Sequence, residues 1–172
     1  MLRPGRLIIV DLRDEFIDKD EALGLFVVML NIFANAGREE GFNKLIVFDE
    51  AHKYMDNPDL TAHIVDVIRQ MRHQGVSVLI ASQDPPSLPT AIIELSSLVI
   101  LHRFNSPQWL KHVQRSITSL GDLTPAQMAA LNPGDAYVWA TKATERVFTQ
   151  KAVKVRFRPR VTQHGGGTKT AV

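Results

Sequence analysis

The stretch Leu45-Ile46-Val47-Phe48-Asp49-Glu50-Ala51-His52 decides how this chain is read. Four consecutive apolar residues predict a strand inside a sheet, and two carboxylates leave it together at its carboxyl end. In open parallel sheets that end is where ligands bind. One carboxylate there can hold the water shell of a Mg²⁺ ion, and its neighbour can polarise an attacking water. The plainer alternative is a strand that ends in an acidic turn.

Working outward, short apolar runs alternate with helical patterns, the pattern of parallel strands and crossover helices. Arg6–Asp11 (RLIIVD) predicts a buried strand. Asp18 with Glu21 starts a helix over 20–36 that Gly37 stops. Asn57-Pro58 opens the next helix, with apolar positions Leu60, Ile64, Val67, Ile68 and Met71, and Gly75 closes it. Val76–Ala81 (VSVLIA) is a third strand and Leu98–Leu101 (LVIL) a fourth. Pro85, Pro86 and Pro89 make the loop between them irregular before a short helix near Thr90–Ser96. Ser106-Pro107 caps a helix with Trp109, Leu110, Val113 and Ile117 on one side. Thr124 with Gln127 forms a capping box, and Asn132-Pro133-Gly134 turns the chain. Ala136–Ala140 and Arg146–Phe157 alternate as two terminal strands, and His164–Val172 has the makeup of a flexible tail. Trp109 and Trp139 read as core residues.

Composition excludes several classes. With 172 residues the chain suits one core, and 45% apolar with 22% charged residues is ordinary for a globular domain. The longest apolar run, Leu23–Leu30, is far short of the roughly 20 residues that span a bilayer. No secretion signal is legible and no cysteine is present, so a cytoplasmic location is the default expectation. The six histidines lack ligand spacing, which argues against a metal bound through them. The net charge of +2 hides an asymmetry: all 18 acids precede Arg146, and seven of the 20 basic residues lie from Arg146 onward. Such a tail suits phosphate backbones or an acidic partner surface, unless it is only a solvated extension.

Taken in order, these segments resemble one family. The pair Asp49-Glu50 resembles a Walker B motif with the extra glutamate of the additional-strand P-loop ATPases. Ile68–Pro85 (IRQMRHQGVSVLIASQDP) is similar to the matching stretch of HerA, the FtsK-like translocases and the conjugative coupling ATPases, and Arg156-Phe157-Arg158-Pro159-Arg160 with His164-Gly165-Gly166 resembles the closing segment of HerA-like ATPases. The resemblance runs over roughly residues 5–168. It implies a RecA-like α/β parallel sheet over 1–135, a small C-terminal β extension over 136–163 and a tail over 164–172. It further implies an ATP-driven DNA translocase or helicase that works as a homo-oligomeric, hexameric ring. Asp49 is then the Mg²⁺-shell ligand, Glu50 the catalytic base and Gln83 the polar sensor of the terminal phosphate. Arg72 is the arginine finger reaching a neighbouring subunit's nucleotide, with Arg103 the second candidate. Each has a bland counterpart, since strands often end in polar residues and a cation in a last helical turn is favoured by the helix dipole. Asp49-Glu50-Ala51-His52 also spells the signature of the DEAH-box RNA helicases. Their Ser-Ala-Thr segment and arginine-rich final motif do not follow, so that reading is set aside.

One family feature is missing. The phosphate cradle, G-x-x-x-x-G-K-[ST] between a strand and a helix, occurs nowhere in the chain. Gly165-Gly166-Gly167-Thr168-Lys169-Thr170 has the letters but not the spacing. In the family's sheet the cradle strand lies between the counterparts of Val76–Ala81 and Leu98–Leu101, so its loss leaves two edges unpaired. The expectation is therefore a fragment, or a reading frame begun at an internal methionine, with a non-hydrolysing remnant or interaction module as the alternative.

Overall fold

The computed structural model describes residues 5–11, 19–36, 43–53, 55, 58–71, 75–159 and 161; for 19, 20, 23, 58–60 and 63 it describes the backbone alone. The chain divides into two units, Met1–Ser96 and Ser97–Val172.

In the first unit, strands β1 (Lys44–Phe48) and β2 (Val76–Ile80) pair in parallel, Lys44 opposite Val76 and Phe48 opposite Ile80. Helix α1 (Lys19–Asn35) precedes them, α2 (Pro58–Met71) connects them, and the short α3 (Thr90–Leu95) follows. These bounds lie within a residue or two of those the apolar periodicity predicts; Asp18, Gly37 and Asn57, the expected cap residues, lie outside the described residues. Val27, Leu30 and Ala34 of α1 recur at helical spacing and pack with Phe48, Ile64, Val67, Met71, Val76 and Ile92. Phe26 meets Phe48 edge-on, ring centroids 5.0 Å apart. The C-terminal carbonyls of α1 are met by a cation from the next element, because Lys44 Nζ donates to Phe33 O at 3.0 Å and to Ala34 O at 2.7 Å.

Two strand expectations change. β1 buries one face only: Phe48 is in the core with Ile46 against it, whereas Leu45 and Val47 are exposed, as is Leu79 on β2. The segment Arg6–Asp11, expected as a buried strand, has no regular structure, and Leu7 is 85% exposed. Apolar composition favours a strand only where a neighbouring edge completes its hydrogen bonds, and among the described residues no strand pairs with this segment.

The second unit is a three-stranded antiparallel sheet in the order β3 (Leu98–His102), β4 (Asp135–Ala140), β5 (Val153–Arg156). The fourth expected strand is thus present as β3, but it pairs antiparallel with β4, Leu98 opposite Ala140, rather than extending the parallel pair. Helix α4 (Pro107–Ser116) starts where expected: Ser106 Oγ accepts the Trp109 N–H at 3.3 Å, and Pro107 needs no partner at the first turn. Helix α5 (Pro125–Ala129) carries the expected capping box, Gln127 N–H to Thr124 Oγ1 at 3.2 Å and Thr124 N–H to Gln127 Oε1 at 2.8 Å. Leu110, Val113, Ile117, Leu120, Met128 and Leu131 are buried, and Trp109 is half-buried. Residues 146–157 are not one strand. A single helical turn, α6 (Val147–Gln150), precedes β5 and presents the Thr149 carbonyl to Trp139 Nε1 at 3.2 Å. That bond satisfies the half-buried indole, which an extended segment there would leave to water.

Gly134, at φ +87°, allows the turn into β4, a conformation a side chain would strain. Asp135 follows with a side chain 6% exposed, Lys154 Nζ at 3.2 Å and Arg156 at 3.3 Å. Burial raises its pKa, but the Lys154 hydrogen bond and charge, a backbone hydrogen bond from Asn132 and the Arg156 charge together outweigh burial and hold it below the usual carboxylate value. A carboxyl with a lowered folded pKa stabilises the fold above its unfolded pKa, about 3.9, and loses that contribution as pH falls through the folded value. Asp135→Asn is therefore expected to melt below the wild type at neutral pH, with the two midpoints converging under acid conditions. A gap unchanged from pH 7 to pH 2 in thermal melts would remove the ion pairs as its cause.

Candidate functional site

β1 and β2 end side by side, and their ends are laced together. Ala81 N–H donates to Phe48 O at 2.8 Å, and Ala51 N–H donates back to Ala81 O at 2.9 Å. The chain leaves β1 through Asp49 and Glu50 into a 3-10 turn, Ala51–Lys53, and leaves β2 through Ala81, Ser82 and Gln83. Residues 33 positions apart are thereby brought to one edge.

Glu50 has φ +52°, the one non-glycine residue with positive φ among those described. For an L-residue with a long side chain this costs about 1–2 kcal/mol. Backbone strain of this kind persists where the surroundings over-determine it and clusters at functional positions. Here the turn bond from Lys53 N–H to Glu50 O, 2.9 Å, and the Ala51–Ala81 bond hold it. Glu50 N–H is in turn received by Asp49 Oδ1 at 3.1 Å.

The carboxylate of Glu50 is contacted on both oxygens. Gln83 Nε2 donates to Oε1. His52 Nε2 lies 3.4 Å and Lys53 Nζ 3.6 Å from Oε2. The Glu50 side chain is 30% exposed, so water reaches it. Behind His52, its Nδ1 lies 3.4 Å from Ser82 Oγ, which also receives the Asp84 N–H at 3.1 Å.

Of the residues expected from the sequence, Asp49, Glu50 and Gln83 come together at this edge. Asp49 is exposed and could serve as the one carboxylate that a hydrated Mg²⁺ needs beside substrate phosphates. No group of three or more His, Cys, Asp or Glu among the described residues could by itself hold a metal. Arg72 lies outside the described residues, just past the last described residue of α2. Arg103 is exposed immediately after β3, in the second unit. His52 and Ser82 were missed as site residues. Their signal was present, since both stand within three residues of the expected site, but His52 was absorbed into the DEAH-box signature and Ser82 into an ordinary polar strand end.

With that geometry in hand, solved structures are informative. The chain is similar to the DNA-packaging ATPase of Sulfolobus turreted icosahedral virus, with a TM-score of 0.61 over 79% of this chain and 62% of that one, at 16% identity. It is likewise similar to the genome packaging NTPase of Sulfolobus turreted icosahedral virus 2 in complex with sulfate, at 0.63, 16% identity, and 88% and 67% of the two chains. The same NTPase in complex with AMPPCP matches at 0.62 and 14% identity over 80% and 62%. At these identities the likeness shows the fold alone, the α/β architecture with a parallel sheet that these packaging NTPases share. Among curated proteins, a probable helicase of Methanocaldococcus jannaschii is 26% identical over 110 residues. That match takes in 62% of this chain and 21% of the helicase, so the chain spans about a fifth of that relative's length and 62% of the first packaging ATPase. No family model matches the chain. No described helix is long and apolar enough to cross a membrane.

Proposed function

We propose that this chain is the catalytic and coupling part of an ATP-driven motor of the HerA–FtsK type that moves DNA. The observation that carries the reading is the bond between Glu50, at the end of β1, and Gln83, beyond the end of β2. A base for water and a polar side chain for a terminal phosphate have to reach the same small volume, and the hydrogen bond between these two puts them there. In this reading Glu50 activates water, Asp49 holds the hydrated Mg²⁺, and Gln83 meets the phosphate. Arg72, or else Arg103, crosses to a neighbouring subunit's nucleotide in a hexameric ring. Bound ATP with Mg²⁺ would supply the phosphoryl group and neutralise its charge. Residues 1–135 form the motor core and 136–163 its β extension, and the motor works in the cytoplasm.

DNA is the partner that the basic stretch from Arg146 suits. Lys154 and Arg156 are engaged with Asp135, and the same stretch also contains Arg146, Lys151, Arg158, Arg160 and Lys169. The reading is tested in a protein that joins this chain to an in-frame G-x-x-x-x-G-K-[ST] segment. Hydrolysis stimulated by DNA, with the stimulation reduced when Arg146, Lys151 and Arg158 are replaced by Gln, supports it; hydrolysis indifferent to DNA speaks against a DNA motor.

One observation favours a second reading, a non-hydrolysing module: residues 1–172 contain no phosphate cradle. That loop normally contributes a nest of backbone N–H groups and a lysine to triphosphate binding. Residues 1–172 are accordingly expected to bind Mg·ATP only weakly. Micromolar binding by titration calorimetry would contradict this, and would mean that the edge of β1 and β2 holds nucleotide unaided.

A further inference from the structure

We infer that His52 is a positioning residue for Glu50: it clamps Oε2 and thereby reserves Oε1 for the reacting water. The inference rests on the reading of Glu50 as the base. It follows from hydrogen-bond arithmetic at three side chains. A carboxylate only accepts, so a hydrogen bond across the 3.4 Å between His52 Nε2 and Glu50 Oε2 forms when Nε2 carries the proton. On its other side the ring meets Ser82 Oγ at 3.4 Å. Ser82 has one proton and two directions for it, His52 Nδ1 or the Asp84 carbonyl at 3.1 Å. If the proton goes to Nδ1, the ring is the neutral Nε2–H tautomer. If it goes to Asp84, Nδ1 must itself carry the proton shared with Ser82, and a neutral ring then has none on Nε2 for Glu50. The first arrangement puts an N–H on Glu50 with the ring neutral, and it is the one the clamp uses. The clamp therefore depends on Ser82 giving its proton to His52 Nδ1.

The backbone explains why this clamp forms. The left-handed Glu50 and the 3-10 turn after it bring the side chain two residues ahead back alongside the carboxylate. The Ala51–Ala81 bond sets Ser82 behind the imidazole. The His52 side chain is 21% exposed, so the ring is partly sheltered. Lys53 approaches the same oxygen at 3.6 Å but is 55% exposed, and a flexible ammonium in water fixes no direction. Gln83 occupies Oε1, the oxygen a water would use, and a phosphate drawing on the Gln83 amide would leave that oxygen to water. His52 keeps the carboxylate aimed throughout.

The test has two arms. In the 172-residue chain, ring ¹⁵N spectra are expected to show His52 protonated at Nε2, with that signal displaced by Glu50→Gln. A bare Nε2, or a signal indifferent to Glu50→Gln, overturns the clamp. In the protein joined to a phosphate-loop segment, His52→Ala is expected to lower kcat by about 10²-fold, the order expected for a misplaced reacting group, with KM for ATP unchanged. His52→Gln, whose amide can place an N–H near the same point, should recover part of the loss, which a merely structural role would not produce. Full kcat in His52→Ala overturns the role. If Glu50→Gln itself hydrolyses ATP normally, the reading of Glu50 fails, whereas an inactive Glu50→Gln beside a fully active His52→Ala sinks the His52 role alone.

Discussion

Arg72→Ala, placed in a protein that carries both this chain and a phosphate loop, is expected to hydrolyse ATP about 10³–10⁵-fold more slowly, the range an arginine finger contributes to the transition state. The same protein mixed with Glu50→Gln, also inactive alone, is expected to regain part of the activity. Mixed rings place an intact Arg72 beside an intact Glu50 at some interfaces, and only a residue acting across the subunit boundary can be rescued in this way. The competing account is local. A cation that follows Met71, the last described residue of α2, can act on the last carbonyls of its own helix for roughly 0.3–1 kcal/mol. Arg72→Ala would then hydrolyse ATP almost normally and merely melt a little earlier. An inactive Arg72→Ala that subunit mixing never rescues would transfer the finger to Arg103.

Glu50→Gln in the same protein is expected to keep nucleotide binding and to slow hydrolysis by about 10²–10⁴-fold, the usual effect of losing a general base. The amide retains the size of the carboxylate and can still face Gln83 and His52, so the loss should fall on kcat. Asp49→Asn is expected to behave differently, weakening the dependence on Mg²⁺ and raising the Mg²⁺ concentration needed for half-maximal rate. The geometry supports the division. Asp49 is exposed and bonded only through Oδ1 to the Glu50 N–H among the bonds described, whereas Glu50 is tied to the end of β2. Equal and complete loss of nucleotide binding in both variants would point instead to an acidic pair that serves the fold.

What the sequence determined by itself is what forms within a few residues. The Ser106 cap, the Thr124–Gln127 box and the apolar faces of α1 and α2 are satisfied locally, and each stands where the spacing placed it. The carboxyl end of Leu45–Phe48 was equally legible, because four apolar residues followed by Asp49-Glu50 mark both a strand and its end. Partners that lie far along the chain were not legible. Strand pairing depends on which edges are available, so Leu98–His102 took β4 as its neighbour, and the apolar segment over 6–11 is not in a strand. Residues 147–150 form a helical turn despite their alternation, its Thr149 carbonyl meeting the Trp139 indole. The site divides in the same way. Asp49, Glu50 and Gln83 could be named from their places at strand ends, but the left-handed backbone of Glu50 and the bonds linking Gln83, Glu50, His52 and Ser82 exist only because Phe48, Ala51 and Ala81 lace two strand ends together.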